Sequence, residues 1–484
     1  MDLDKLKDPL PATLSWQGVT FYGTIDVGYG YQTHGAPLGS TYPQGVAYNI
    51  YSAKYGNRAI SSLDPNALEP SKIGLIIEEA ISSGWIAVGR VEMGFDPLSG
   101  QLSDGPGSLL ENAGLPLSRQ SANGDSARQG QVFNGPSFAG VSSKTFGTLT
   151  VGRQQSLQLD QTGSYDPQGG SYAFGLLGWS SSLSGAGISA AARQDESVKY
   201  VFTYGPFHAA GMYSQGGPDV GFFGPAYGAN VGGTYGGFSI DAVYQKVNAG
   251  VQLSSLTASP VVGVNSIDAP PANYSNSALN GLVTDNDSWS VQAKYTFTFE
   301  EGAKDGGLKD GGPVADFWTG SRLTLFAGFE DIRFYNSSAD RDREYVGQTV
   351  ANGYAIGYLP AIRGVSRASS LFFYASTREL QLEWTGARYE LASGLSFTAA
   401  YYHLAQNAFS SASVLSRPQA GSPNQQPGYN AGEYHDGSFV VDYRFNKHWD
   451  IYAGVNCSTV DGGLASGFIA NNNTSFVTGA RLKF

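Results

Sequence analysis

The residues that could do chemistry are charged and thinly spread. A long Gly/Ser/Gln-rich stretch after Arg153 holds two carboxylates, Asp160 and Asp166. Alternating segments on either side of it carry Lys72, Arg90, Arg153 and Arg193, with Asp26, Glu78 and Glu92 in the same segments. Fixed carboxylates facing fixed cations across a water-filled gap orient water and polar solutes and set which ions pass. Bond-making chemistry has less support. The five histidines, His34, His208, His403, His435 and His448, are scattered, without HExxH or His-x-His spacing, so no metal site is expected. His403, in YYHLAQN, lies well inside a predicted strand and reads as a polar residue of an interior channel; no nucleophile motif accompanies it. The single cysteine, Cys457, excludes an intramolecular disulfide framework and a Cys-based metal cluster. The run Asp340-Arg341-Asp342-Arg343-Glu344 reads as a solvated loop and carries no site.

Strands must position these charges. Alternation at period two gives a strand one apolar and one polar face. Val19, Phe21, Ile25, Val27, Tyr29 and Tyr31 share one face of the first strand; Thr20, Tyr22, Thr24 and Asp26 share the other. Lys72–Glu79 and Trp85–Phe95 form a predicted hairpin with Lys72, Ile76, Glu78, Val88, Arg90 and Glu92 facing in. The next hairpin, from Gln131, turns at Lys144-Thr145-Phe146-Gly147. Strict alternation puts Arg153 in phase with Leu149 and Val151, so it reaches the interior only if the backbone bends there. After Arg153 the pattern neither turns back nor starts a helix, and roughly forty residues pass before a strand resumes near Glu196, a length that marks a loop as functional or disordered. Further hairpins meet at Gly205-Pro206, Gly236-Gly237, Ala392-Ser393-Gly394 and Asn446-Lys447-His448, and the last strand is Thr474–Phe484. Glu300–Thr319, between Asp287–Phe299 and Arg322–Tyr335, is unusually long for a turn.

Roughly sixteen strands result, with long loops and tight turns in alternation, as in bacterial outer-membrane barrels. Charged residues are only 14% and aromatics reach 13%, yet no apolar run approaches the length of a spanning helix. A barrel hides its membrane signal because only every second residue faces lipid. The expected fold is all-β, a transmembrane antiparallel β-barrel over 18–484 after an N-terminal segment 1–17, with a third long loop, about 156–192, folded into the lumen. Closure is needed because lipid cannot satisfy an open sheet edge. Aromatics at predicted strand ends, among them Tyr29, Trp85, Phe297, Tyr401 and Trp449, suit interfacial girdles. The opening MDLDKLKDPLPATLSW has no basic, apolar export signal, and the expectation is a processed chain with an added Met. A net charge of -11 argues against nucleic-acid partners.

Several segments together resemble the general trimeric porins of Gram-negative outer membranes, of the sixteen-stranded type. They are VTFYGTIDVGYG, SKIGLIIEEAISSGWIAVGRVEMGFD, FNGPSFAGVSSKTFGTLTVGRQ, SVKY at Ser197 to Tyr200, and GARLKF ending at Phe484. The resemblance implies a homotrimer, passive diffusion of small hydrophilic solutes, no enzymatic activity and no cofactor. It also implies an inward third loop that narrows the pore, with Asp160 and Asp166 on the loop side. Lys72, Arg90, Arg153 and Arg193 then stand on the wall side, and Asp26, Glu78 and Glu92 elsewhere in the lumen. Three places depart from the pattern: Gly135 stands where relatives often carry a basic residue, Tyr165 to Gly170 lacks an additional carboxylate, and Glu300–Thr319 is long. Outer-membrane lipid and lipopolysaccharide are the implied surroundings. A substrate-selective channel for sugars, carboxylates or ions, and a non-transporting adhesin or platform, are the competing readings. Net acidity leans selectivity slightly toward cations.

Overall fold

The computed structural model describes residues 14–34, 59–98, 100, 102, 132–176, 193–216, 225–254, 280–300, 320–336, 355–357, 372–374, 376–409, 411–413, 431–462 and 471–484. Among them, sixteen strands form one closed antiparallel wall. In chain order these are β1 (Val19–Gln32), β2 (Lys72–Ser82), β3 (Trp85–Gly94), β4 (Ser137–Ser143), β5 (Gly147–Gln155) and β6 (Arg193–Tyr204). There follow β7 (Phe207–Ser214), β8 (Ala226–Tyr235), β9 (Phe238–Ser254), β10 (Asn280–Glu300) and β11 (Gly320–Asn336). The wall ends with β12 (Arg378–Glu390), β13 (Leu395–Gln406), β14 (Gly432–Arg444), β15 (Trp449–Val460) and β16 (Asn472–Lys483). Each strand pairs with its neighbour in sequence, and β16 returns to β1 through Asp26↔Arg481 and Gly28↔Gly479. The backbone therefore has no free edge to expose to lipid.

Alternation sets the faces. Phe21, Leu75, Val151, Ile240, Trp289, Phe297, Phe439, Ile451 and Phe476 are exposed on the outside of the wall. Thr150, Asn230, Asp241, Gln245, Ser290, Ser438, Asn456 and Ser475 are buried on the inside. Apolar residues outside and polar residues inside reverse the arrangement of a soluble protein and fit a wall in lipid. No helix among the described residues is long and apolar enough to cross a membrane.

The short turns fall at the positions read from sequence. Strands β9 and β10 run farther than their alternation suggested, across a register shift between Val247 and Gly250. Backbone pairing continues there because it requires no apolar face. Beyond Glu300, the Glu300–Thr319 connection lies outside the described residues.

Two local features differ from the sequence reading. The first is a helix, α1 (Leu157–Tyr165), where no helix was expected. Ser156 caps it, its Oγ accepting from Leu159 N at 3.2 Å, and it ends where Asp166 N donates to Thr162 O. It has no apolar stripe to betray it, because it packs against a polar wall: Gln158 and Thr162 are buried beside Leu157 and Tyr165. The second is a break between β1 and β2. A short strand, Ile60–Pro65, pairs with one end of β1 while β2 pairs with the other, and residues 66–71 leave the sheet between them. Asp26 fastens that break: its Oδ2 accepts from Leu68 N at 2.8 Å and Glu69 N at 2.9 Å, and its Oδ1 from Tyr452 OH at 2.6 Å. The sequence marked Asp26 as a lumen charge; it faces in, but is fully buried under this turn.

Candidate lumen constriction

One side of the barrel holds α1. Leu157 packs with Met212 on β7 and Val243 on β9. Gln158 is held twice, its N donating to Gln245 Oε1 at 2.9 Å and its Oε1 accepting from Ser290 Oγ at 2.6 Å. At the far end of the helix Tyr165 OH donates to Asp241 at 2.5 Å, and Trp384 Nε1 donates to Tyr165 O at 3.0 Å. Lys294 Nζ reaches Ser164 O at 3.0 Å and lies 5.2 Å from the Tyr165 ring centre. Asp160 pairs with Lys199 Nζ at 2.6 Å, and the same ammonium donates to Gln155 O at 2.9 Å.

From α1 the chain passes to the opposite wall. Asp166 accepts from Tyr402 OH, from Gln168 N at 3.1 Å and from Gly170 N at 2.8 Å. Burial pushes its carboxyl above the usual carboxylate range, against those bonds and the charge of Arg388. Arg388 donates to Pro167 O, and Gln168 Nε2 donates to Ser438 Oγ at 2.8 Å. Three donors then converge on Ala67 O in the inward turn: Ser171 Oγ at 2.8 Å, and Tyr172 N and Ala173 N at 3.0 Å each. Phe174 is fully buried with Ala67, Val440, Tyr452 and Val477. Two wall glycines let the segment lie against backbone: a Cβ on Gly386 would sit 2.5 Å from Pro167, and one on Gly454 2.6 Å from the Phe174 ring.

The same inward turn carries a charge hub. Glu69 meets Lys72 at 2.6 Å, Lys483 at 2.8 Å and Arg481 at 3.5 Å, while Arg481 also pairs with Asp450 at 3.0 Å. Burial would push the Glu69 carboxyl up, but these cations together hold it below the usual carboxylate range. Glu69→Gln should therefore leave the cations undercompensated and lower stability by about 1–3 kcal/mol, read as an earlier thermal transition of the detergent-solubilised barrel.

The family described as Gram-negative porin matches residues 11–304. The chain belongs to the Gram-negative porins. An outer membrane porin protein of Bordetella pertussis is 25% identical over 264 residues, 53% of this chain and 58% of that protein. The chain thus spans under two thirds of that relative's length. Among solved structures, an anion-selective porin from Comamonas acidovorans superposes with a TM-score of 0.53 at 14% identity, covering 96% of this chain and 99% of that one. OmpT of Vibrio cholerae gives 0.50 at 12% identity, covering 98% and 100%. These likenesses concern the fold, and the family places the chain in the outer membrane.

In this porin the charges named from sequence are distributed differently from their expected roles. Asp160 contacts Lys199 rather than Lys72 or Arg90, although Arg90 is near enough for its charge to act on Asp160. Asp166, 1% exposed, is turned into its own loop and presents no carboxylate to water. Lys72 belongs to the Glu69 hub. Arg90 donates to Tyr22 OH at 2.7 Å and to Glu92 at 2.8 Å, and Glu92 is buried. Glu78 is exposed near the β2–β3 turn, and no contact among the described residues brings it to the segment. Arg193, also buried, starts β6 opposite Gln155.

Arg153 depended on a backbone bend, and the bend exists. Gly152 has φ 135° and the ladder shifts register between Gly152 and Gln154. The guanidinium donates to Asn134 O at 2.9 Å, to Gly135 O at 3.1 Å and to Asp195 at 2.5 Å. It braces the root of the third loop beside Gly135, the position noted for its missing base. Lys199, Lys294, Arg388, Asp241 and Glu69 were not singled out from sequence. The first four lie on inward faces, so alternation alone could have flagged them. Glu69 lies in a turn that periodicity cannot orient. His403, expected in the lumen, instead faces out, in phase with Tyr401 on β13.

Proposed function

We propose that this porin forms a water-filled channel for passive diffusion of small hydrophilic solutes and ions, works as a homotrimer, and catalyses no reaction. The observation that carries this reading is the chain from Ser156 to Phe174, bonded first to the β6–β10 wall and then to the β12–β16 wall. A segment anchored at both sides of a closed barrel narrows the water path without sealing it by apolar packing. Stepwise conductance in planar bilayers is the expected result, and folded protein that conducts no current would overturn the proposal.

The charge facing the water path favours anions over cations. Glu92, Asp166 and Asp241 are buried in hydrogen bonds, and the partly exposed Asp160 and Arg90 are paired with Lys199 and Glu92 respectively. Lys294 and Arg388, by contrast, stay partly exposed beside the segment without a carboxylate salt bridge among the described residues. Whole-chain acidity pointed the other way because it also counts residues far from this path. Under a salt gradient the reversal potential should report anion preference, and Lys294→Glu with Arg388→Glu should move it toward cations. A cation preference in the unmodified channel would refute this assignment.

A further inference from the structure

On the outside of the wall, the direct register pairs His403 with His435 across β13 and β14, and Glu433 lies two residues before His435 on the same face. The site sits one same-face step above Tyr401 and two above Phe439, on the long-loop side of the apolar band. Glu433 Oε2 lies 3.7 Å from His403 Nε2 and 3.3 Å from His435 Nε2. The imidazole rings are stacked, 4.8 Å between centres. Their other nitrogens face different groups: His435 Nδ1 meets Tyr401 OH at 2.8 Å, and His403 Nδ1 faces Glu383 Oε2 at 3.6 Å. His403 Nε2 is buried and makes no hydrogen bond among the described residues.

We propose that His403, Glu433 and His435 bind a divalent transition-metal ion on the outer wall of this porin. One donor atom from each residue can be chosen so that all lie within 4.8 Å of one another. Ligands at about 2.0–2.1 Å from zinc stand roughly 3.3 Å apart in a tetrahedron, so small side-chain rotations close the site. A phenol and a carboxylate against the outer nitrogens are the supports that orient metal-bound histidines. Two imidazoles and one carboxylate suit zinc, nickel or copper, whereas calcium and magnesium favour oxygen ligands. Three protein ligands leave a coordination position open. The sequence concealed this set because its histidines are far apart in the chain and meet only through strand register.

The test is calorimetric titration of the untagged, folded barrel in detergent with Zn2+, together with the electron paramagnetic resonance spectrum of bound Cu2+. One ion per chain and a copper spectrum split by two imidazole nitrogens are expected. His403→Ala and His435→Ala should each abolish tight binding, and Tyr401→Phe should weaken it by about 10–100-fold. His208→Ala, which alters a lumen histidine bonded to Asp241, should leave it unchanged. Circular dichroism checks that each variant keeps the barrel, and the substitutions lie on the outer surface of the wall. Undetectable Zn2+ binding to the folded protein overturns the proposal, as does unaltered affinity and stoichiometry in both ligand variants.

Discussion

Deletion of Gln158 to Gly187 should raise single-channel conductance severalfold in planar bilayers. The deleted residues include all of α1 except Leu157, the Asp166 turn and Phe174, which together account for the described contacts made across the interior. The wall does not depend on them for its pairing. Strand β5 reaches β6 through Thr148↔Val201 to Gly152↔Ser197, and this ladder lies outside the deletion. A barrel of this strand number leaves an aqueous channel when its lumen is not filled by its own chain. The deletion does expose groups that the segment satisfied, among them Asp241 and Tyr402, and some loss of stability should accompany the larger current. Those groups face water once the segment is gone, so their hydrogen bonds can be replaced. Unchanged conductance from a folded deletion variant would place the narrowest point elsewhere and remove the basis of the proposed mechanism.

The wall was legible in the sequence because each strand reports its faces locally. Val19 to Tyr31 alternates residue by residue, and tight turns such as Gly205-Pro206 and Gly236-Gly237 name their own positions. The interior was less legible because its order comes from distant partners. Asp166 reads as a pore charge until Tyr402 and two backbone amides close over it. Asp26 reads the same way until residues 66–71 fold onto it, which no periodicity foretells. The helix α1 was missed for a related reason, since a helix wedged into a polar lumen lacks the apolar stripe by which helices are recognised. Arg153 shows what could still be said: alternation gave the condition, and Gly152 supplies the bend.

Phe174→Ala should loosen the far end of the lumen segment while leaving the wall paired. Phe174 is fully enclosed by Ala67, Val440, Tyr452 and Val477, and truncating a buried phenylalanine costs about 3–5 kcal/mol. That loss acts on docking of the segment, whose neighbouring hydrogen bonds from Ser171, Tyr172 and Ala173 converge on the one carbonyl of Ala67. The expected signature is a noisier open current with brief excursions to higher conductance, at an unchanged barrel signal in circular dichroism. Gly454→Ala reaches the same contact from the wall side, since its Cβ would lie 2.6 Å from the ring. Overpacking of this kind costs about 1–3 kcal/mol and forces the ring to move. Because both substitutions act on one contact, the double variant should be less destabilised than the sum of the single ones. With the ring removed, the new methyl group keeps only its close approach to Phe439 O, at 2.9 Å. Full additivity, or a quiet open current in Phe174→Ala, would show that this contact does not hold the segment in place.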